Sequence, residues 1–130
     1  MNRSIRILLP LAAGLALLIP AGPGQAKSDD DDGRVIRTGS CSGATDFRLK
    51  AKPDDGRLEV EFEVDQNRNG VRWRVAVRRN GAVVARGTRR TGGRSGSFSF
   101  ERRIANPAGQ DRISAVARRN GETCRASLRI

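Results

Sequence analysis

The chain has no histidine and no tyrosine, and its 130 residues include one tryptophan, four phenylalanines and two cysteines. Each scarcity removes a class of chemistry. Without imidazole or phenol, the common proton-transfer groups near neutral pH are missing. Two isolated cysteines without a histidine do not make a tetrahedral zinc site, and once oxidised they offer no thiolate nucleophile. The carboxylate pairs Asp54 with Asp55 and Asp65 with Asp111 fall where turns and strand starts account for them. The chain therefore reads as a non-enzyme with no cofactor and no metal. Long apolar runs are also lacking, apart from the thirteen residues Ile7 to Ile19, fewer than the roughly 20 that span a bilayer. Arg3 and Arg6 precede that run, Pro20, Gly22 and Pro23 break it, and Gly24-Gln25-Ala26 closes it with a small-residue ending. This is the pattern of a secretory signal peptide over residues 1–26, cut after Ala26. It predicts a secreted, extracellular product without membrane insertion.

The remainder, residues 27–130, suffices for one domain with a modest core. Residues 27–33 carry Asp29-Asp30-Asp31-Asp32 and nothing apolar, so they read as a solvated acidic tail. The domain is residues 34–130. Cys41 and Cys124, an even pair in an exported chain, predict one disulfide. The loop it closes is long, for which the chain-entropy estimate is about 4–5 kcal/mol as an upper figure.

Positive charge dominates what is present. Lys and Arg number 25 against 14 Asp and Glu, and the sequence pI is near 11.5. A field of that sign attracts polyanions: nucleic acid, anionic wall polymers or acidic polysaccharide. Arginine outnumbers lysine 22 to 3, which the coding bias of a GC-rich genome would also produce. The two explanations stand side by side at this point.

Apolar and polar residues alternate through most of the domain. Phe47, Leu49 and Ala51 alternate with Arg48, Lys50 and Lys52; Leu58, Val60, Phe62 and Val64 with Glu59, Glu61 and Glu63; Trp73, Val75 and Val77 with Arg72, Arg74 and Arg78. Period two means strands with one buried and one wet face. Pro53-Asp54-Asp55-Gly56, Asn80-Gly81 and Asn120-Gly121 supply hairpin turns. Ala82 to Thr88 is a short strand of undefined phase, followed by a glycine-rich loop to Gly96 carrying Arg89, Arg90 and Arg94. Phe98, Phe100 and Ile104 mark a further strand, in which Arg102 falls on the apolar row, at a bulge or beyond the sheet edge. Ile113, Ala115 and Ala117, then Cys124, Ala126 and Leu128, line the last two strands. Asp65 to Gly70 matches the opening of a calcium loop, but Ala76 stands where the closing glutamate belongs and Arg68 puts a positive charge inside. An ordinary turn is the better reading. Val75 to Gly81 recurs as Ala115 to Gly121, which strand followed by Asn-Gly turn is enough to explain.

Counted from Asp46, these make seven strands whose order of hairpins resembles the immunoglobulin and fibronectin type III sandwiches. Trp73 on the third strand and Asp111 to Ala117 on the sixth add to the likeness. Ile113 stands in place of the corner tyrosine, and Ala115 in place of the immunoglobulin cysteine. The chain also resembles small secreted proteins of actinobacteria, a likeness that implies no activity. The implied fold is an all-β antiparallel sandwich with strands one, two and five in one sheet and four, three, six and seven in the other. That division would gather Arg72, Arg74, Arg78, Arg112, Arg118, Arg125 and Arg129 on one outer face, with no carboxylate among them. The expected function is a monomeric binding module that engages an anionic polymer through this face, without sequence-specific reading of nucleic acid. The alternative is contact with a secreted or cell-surface protein, as in a protease inhibitor or adhesion domain, through Arg89, Arg90 and Arg94 or through the two Arg-Arg-Asn-Gly turns.

Overall fold

The computed structural model describes residues 32–130. The signal peptide over residues 1–26 and the tail residues 27–31 lie outside the described residues. Eight strands follow in order: β1 (Val35–Ser40), β2 (Asp46–Asp54), β3 (Arg57–Asp65), β4 (Arg72–Arg79), β5 (Ala82–Arg90), β6 (Ser97–Ala105), β7 (Arg112–Arg119) and β8 (Glu122–Arg129). They form two antiparallel four-stranded sheets, β1-β2-β3-β6 and β5-β4-β7-β8. This is the β-sandwich division that the resemblance implied, with one strand more than expected. The addition is β1, which pairs with β2 along its whole length, from Val35 opposite Ala51 to Ser40 opposite Asp46.

The period-two rows become the core. Leu49, Leu58, Val60, Phe62, Val64 and Phe100 from the first sheet meet Trp73, Val77, Ile113, Ala117 and Cys124 from the second, all buried. Trp73 is fully buried, tilts against Phe98 at 6.2 Å between centroids, and donates its Nε1 hydrogen to Gln66 Oε1 at 3.1 Å. A buried indole keeps its one donor satisfied in this way. Cys41, just beyond β1, is bonded to Cys124 in β8, with Cα atoms 4.3 Å apart, so the disulfide joins facing edges of the two sheets.

Two details differ from the sequence reading. β5 does not end at Thr88 but runs to Arg90, and its pairing with β4 shifts between Val77 and Arg78, where Val77 faces Ala85 and Arg78 faces Val83. The extra residue, Val84, is a β-bulge, and a bulge reverses which face each later residue takes. The β3–β6 pairing has no such shift, and Arg102 faces Val60 in continuous register. Arg102 lies on the inner row of an edge strand, and its guanidinium reaches out over the Phe100 ring, 4.1 Å from the centroid. Arg89 takes the same position on the facing edge strand β5, 5.0 Å from that ring. Charges turned inward at strand edges discourage edge-to-edge pairing.

Candidate functional site: an arginine-covered sheet face

The outer face of the β5-β4-β7-β8 sheet can be followed across the strands. Arg72 on β4 lies directly opposite Arg90 on β5. One step along, Arg74 is opposite Thr88 on one side and Arg118 on the other. Next, Ala76 is opposite Arg86 and Val116, and Val116 is opposite Arg125 on β8. Then Arg78 faces Ser114, and last Arg112 faces Arg129. All seven arginines expected on this face are there. Arg86 and Arg90 join them; their spacing with Thr88 is the period-two signal that would have found them, had the bulge not obscured the strand's phase.

No carboxylate lies on these rows, and none of the nine arginines forms an ion pair among the described residues. Two of them reach neutral acceptors: Arg112 Nε donates to Ser127 Oγ at 3.1 Å, and an Arg90 amino group donates to the Gly70 carbonyl at 3.3 Å. The outer face of the other sheet differs in kind. Its cross-strand partners are Arg48 with Glu63, Lys50 with Glu61 and Lys52 with Glu59, and Lys50 Nζ sits 3.3 Å from Glu61 Oε2. Asp46, Asp54, Asp65 and Glu101 share its rows with Arg57 and Arg103, so acids slightly outnumber bases there.

The arginine face is not flat. The small Ala76 on the central strand leaves an open depression of about 530 Å³ bounded by Arg74, Arg78, Arg86, Thr88, Val116 and Arg118. A second depression of about 300 Å³ adjoins it, shares Arg74 and Arg118, and is completed by Arg72, Arg119 and Asn120.

Arg119 is held in place from beneath. Its Nε donates to Glu122 Oε1 at 3.0 Å while its guanidinium lies 5.6 Å from the Trp73 ring centroid. Glu122 is buried and also accepts a hydrogen bond from Thr45 Oγ1 at 2.8 Å. Burial pushes the Glu122 carboxyl upward, but the Thr45 hydrogen bond together with the Arg119 hydrogen bond and charge outweighs it and holds the group below its ordinary value. Glu122 shares a row with Cys124, Ala126 and Leu128, and that spacing is the signal that marks it as buried.

The other sequence candidates fall apart spatially. Arg89 lies over Phe100 in β5 and Arg90 lies on the sheet face, so only Arg94 remains in a loop, where it is exposed. The two Arg-Arg-Asn-Gly turns are at opposite ends of the sheet, because β4 and β7 run antiparallel. In each, the first arginine, Arg78 or Arg118, points outward, and the second serves the fold. Arg79 donates to the Ala105 carbonyl, as Arg119 does to Glu122. Asn80 takes a positive φ of 49° and bridges to Asp111 and the Arg112 amide, whereas in the second turn the left-handed residue is Gly121. In the Asp65 to Gly70 turn, Asp65 Oδ1 accepts from the Asn67 amide and the Arg68 carbonyl accepts from Thr91. Among the described residues no three His, Cys, Asp or Glu side chains converge on a metal-sized site, and no helix is long and apolar enough to cross a membrane. No family model, curated protein or solved structure matches the chain.

Proposed function

We propose that the chain is an exported, non-catalytic binding module that holds anionic polymers of a cell surface or matrix against the outer face of the β5-β4-β7-β8 sheet. The observation that carries this reading is the contrast between the two outer faces. Coding bias can raise the arginine content of a chain, but it does not sort charges by face. One sheet sets bases across from acids at Arg48/Glu63, Lys50/Glu61, Lys52/Glu59, Asp54/Arg57 and Glu59/Arg103, against two acid–acid pairs, Asp46/Asp65 and Glu61/Glu101, whereas the other has no acid in its outward pairs and places arginine across from arginine at Arg72/Arg90, Arg74/Arg118 and Arg112/Arg129. Like charges directly opposite on a sheet each cost a few tenths of a kcal/mol to about 1 kcal/mol. A bound polyanion removes that cost, and guanidinium forks match sulfate, phosphate and carboxylate bidentately.

The test is a titration of the oxidised protein with an anionic wall polymer at low and high salt, following backbone amide shifts. Shifts confined to Arg72, Arg74, Arg118 and Arg125, with affinity falling steeply as salt rises, support the proposal. Replacing Arg74 by Ala should lower the slope of log affinity against log salt by about 1, as expected for the loss of one phosphate contact. Shifts spread over both sheets, or an affinity indifferent to salt, would sink it.

A further inference from the structure

The shape of this face narrows its ligand, and the narrowing rests on the proposed polyanion binding. A surface meant only for charge would be covered evenly with cations. Here the centre is neutral and aliphatic: Ala76 and Val116 lie side by side on adjacent strands. Arg74 and Arg118 stand at one end of that floor and Arg78 at the other, Arg86 flanks Ala76 from β5, and the whole is a depression of about 530 Å³. Arg125, next to Val116 on β8, adds a cation on the side away from Arg86. At about 3.3 Å per residue along a strand and about 4.8 Å between strands, the surrounding Cα atoms lie roughly 13–14 Å apart in both directions. A ligand matching this outline has a compact body with one face that needs no hydrogen bonds, and several anionic groups around its rim.

We propose that the depression seats a sugar unit bearing multiple sulfate or phosphate groups, with the C–H face of its ring over Ala76 and Val116 and its oxyanions on Arg74, Arg78, Arg86 and Arg118. A linear chain such as polyphosphate has charge but no ring to cover the floor. Nucleic acid has rings, but its bases stack on aromatic side chains, and this face has none: Trp73 is on the inner row of β4, Phe100 belongs to the other sheet, and both are fully buried.

Three probes at matched charge concentration and low salt decide the matter by calorimetry: sucrose octasulfate, inorganic polyphosphate and duplex DNA. Ala76→Ile fills the floor with a residue suited to an outward strand position, and Val116→Ala removes part of the floor, so the two variants test it from opposite directions. Amide spectra show whether each remains folded. The expected result is that the wild-type protein binds sucrose octasulfate about tenfold more tightly than polyphosphate, a difference within what small apolar contacts supply. Both variants should lose most of that margin, with affinity for sucrose octasulfate falling further than affinity for polyphosphate. Equal affinity for the two probes, tighter binding of DNA than of the sulfated sugar, or a parallel loss of both probes in the variants would overturn the inference and leave the general polyanion reading standing. Failure of all three probes to bind would remove that reading and this one together.

Discussion

Glu122 shows how one residue ties function to stability. It is buried, it holds Arg119 at the margin of the smaller depression, and Thr45 reaches it from the facing sheet side. Replacing it by Gln keeps the shape but removes the charge that Arg119 is paired with, and should cost about 1–2 kcal/mol at neutral pH. Because its carboxyl is held below the ordinary value of 4.5 in the folded state, its contribution is complete at higher pH. Below about pH 4.5 the unfolded chain takes up the proton first, and stability falls until the folded carboxyl is protonated too. Urea unfolding between pH 3 and 7 should therefore show a shallower acid decline in E122Q than in wild type; parallel curves would mean that Glu122 contributes nothing through its charge. Gly96 is a second point of close fit. It has a φ of 63°, and a Cβ there would lie 2.1 Å from the Arg68 backbone nitrogen. Backbone cannot yield as a side chain can, so Gly96→Ala should lower stability by about 2–4 kcal/mol, read as a drop in the thermal midpoint.

Between strands, the arginine pairs should oppose folding and favour binding. Arg74→Glu would turn the Arg74/Arg118 repulsion into an attraction, so the variant should be more stable by about 0.2–1 kcal/mol in urea and bind anionic polymer more weakly. A variant that lost both stability and affinity would show that these arginines are not in mutual repulsion. The strands that carry these pairs were largely legible in the sequence. β2, β3, β4, β7 and β8 announce themselves by alternation, β6 by an alternation interrupted at Arg102, and Asn80-Gly81 and Asn120-Gly121 mark two of the hairpins. β5 was not, because the bulge at Val84 switches the faces midway; that hid the outward Arg86, while Arg90 was missed because the strand runs past Thr88 into the stretch read as loop. Pairing of β1 was illegible because Val35–Ser40 is too polar to show a buried row, and its partner is chosen by the open edge of β2 rather than by its own pattern. The depression escaped sequence reading as well. It exists because Ala76 is opposite Val116 across two strands forty residues apart, a coincidence of register that no local window contains.

At the scale of the whole molecule, the sandwich is held at one edge by the Cys41–Cys124 disulfide. Converting both cysteines to serine should remove up to about 4–5 kcal/mol, measured by comparing unfolding midpoints; a change below about 1 kcal/mol would mean that the core alone holds β1 and β8 together. The two outer faces, one crowded with arginines that form no ion pair among the described residues and the other nearly self-neutralising, also give the molecule a top and a bottom. On a negatively charged particle it should settle in a single orientation, like a tile with adhesive on one side, and expose the surface of Glu59, Glu61 and Glu63 to solvent. A saturated coat would then cap the particle without inverting it: its electrophoretic mobility should rise toward zero and stop there, and a second layer would find nothing to adhere to.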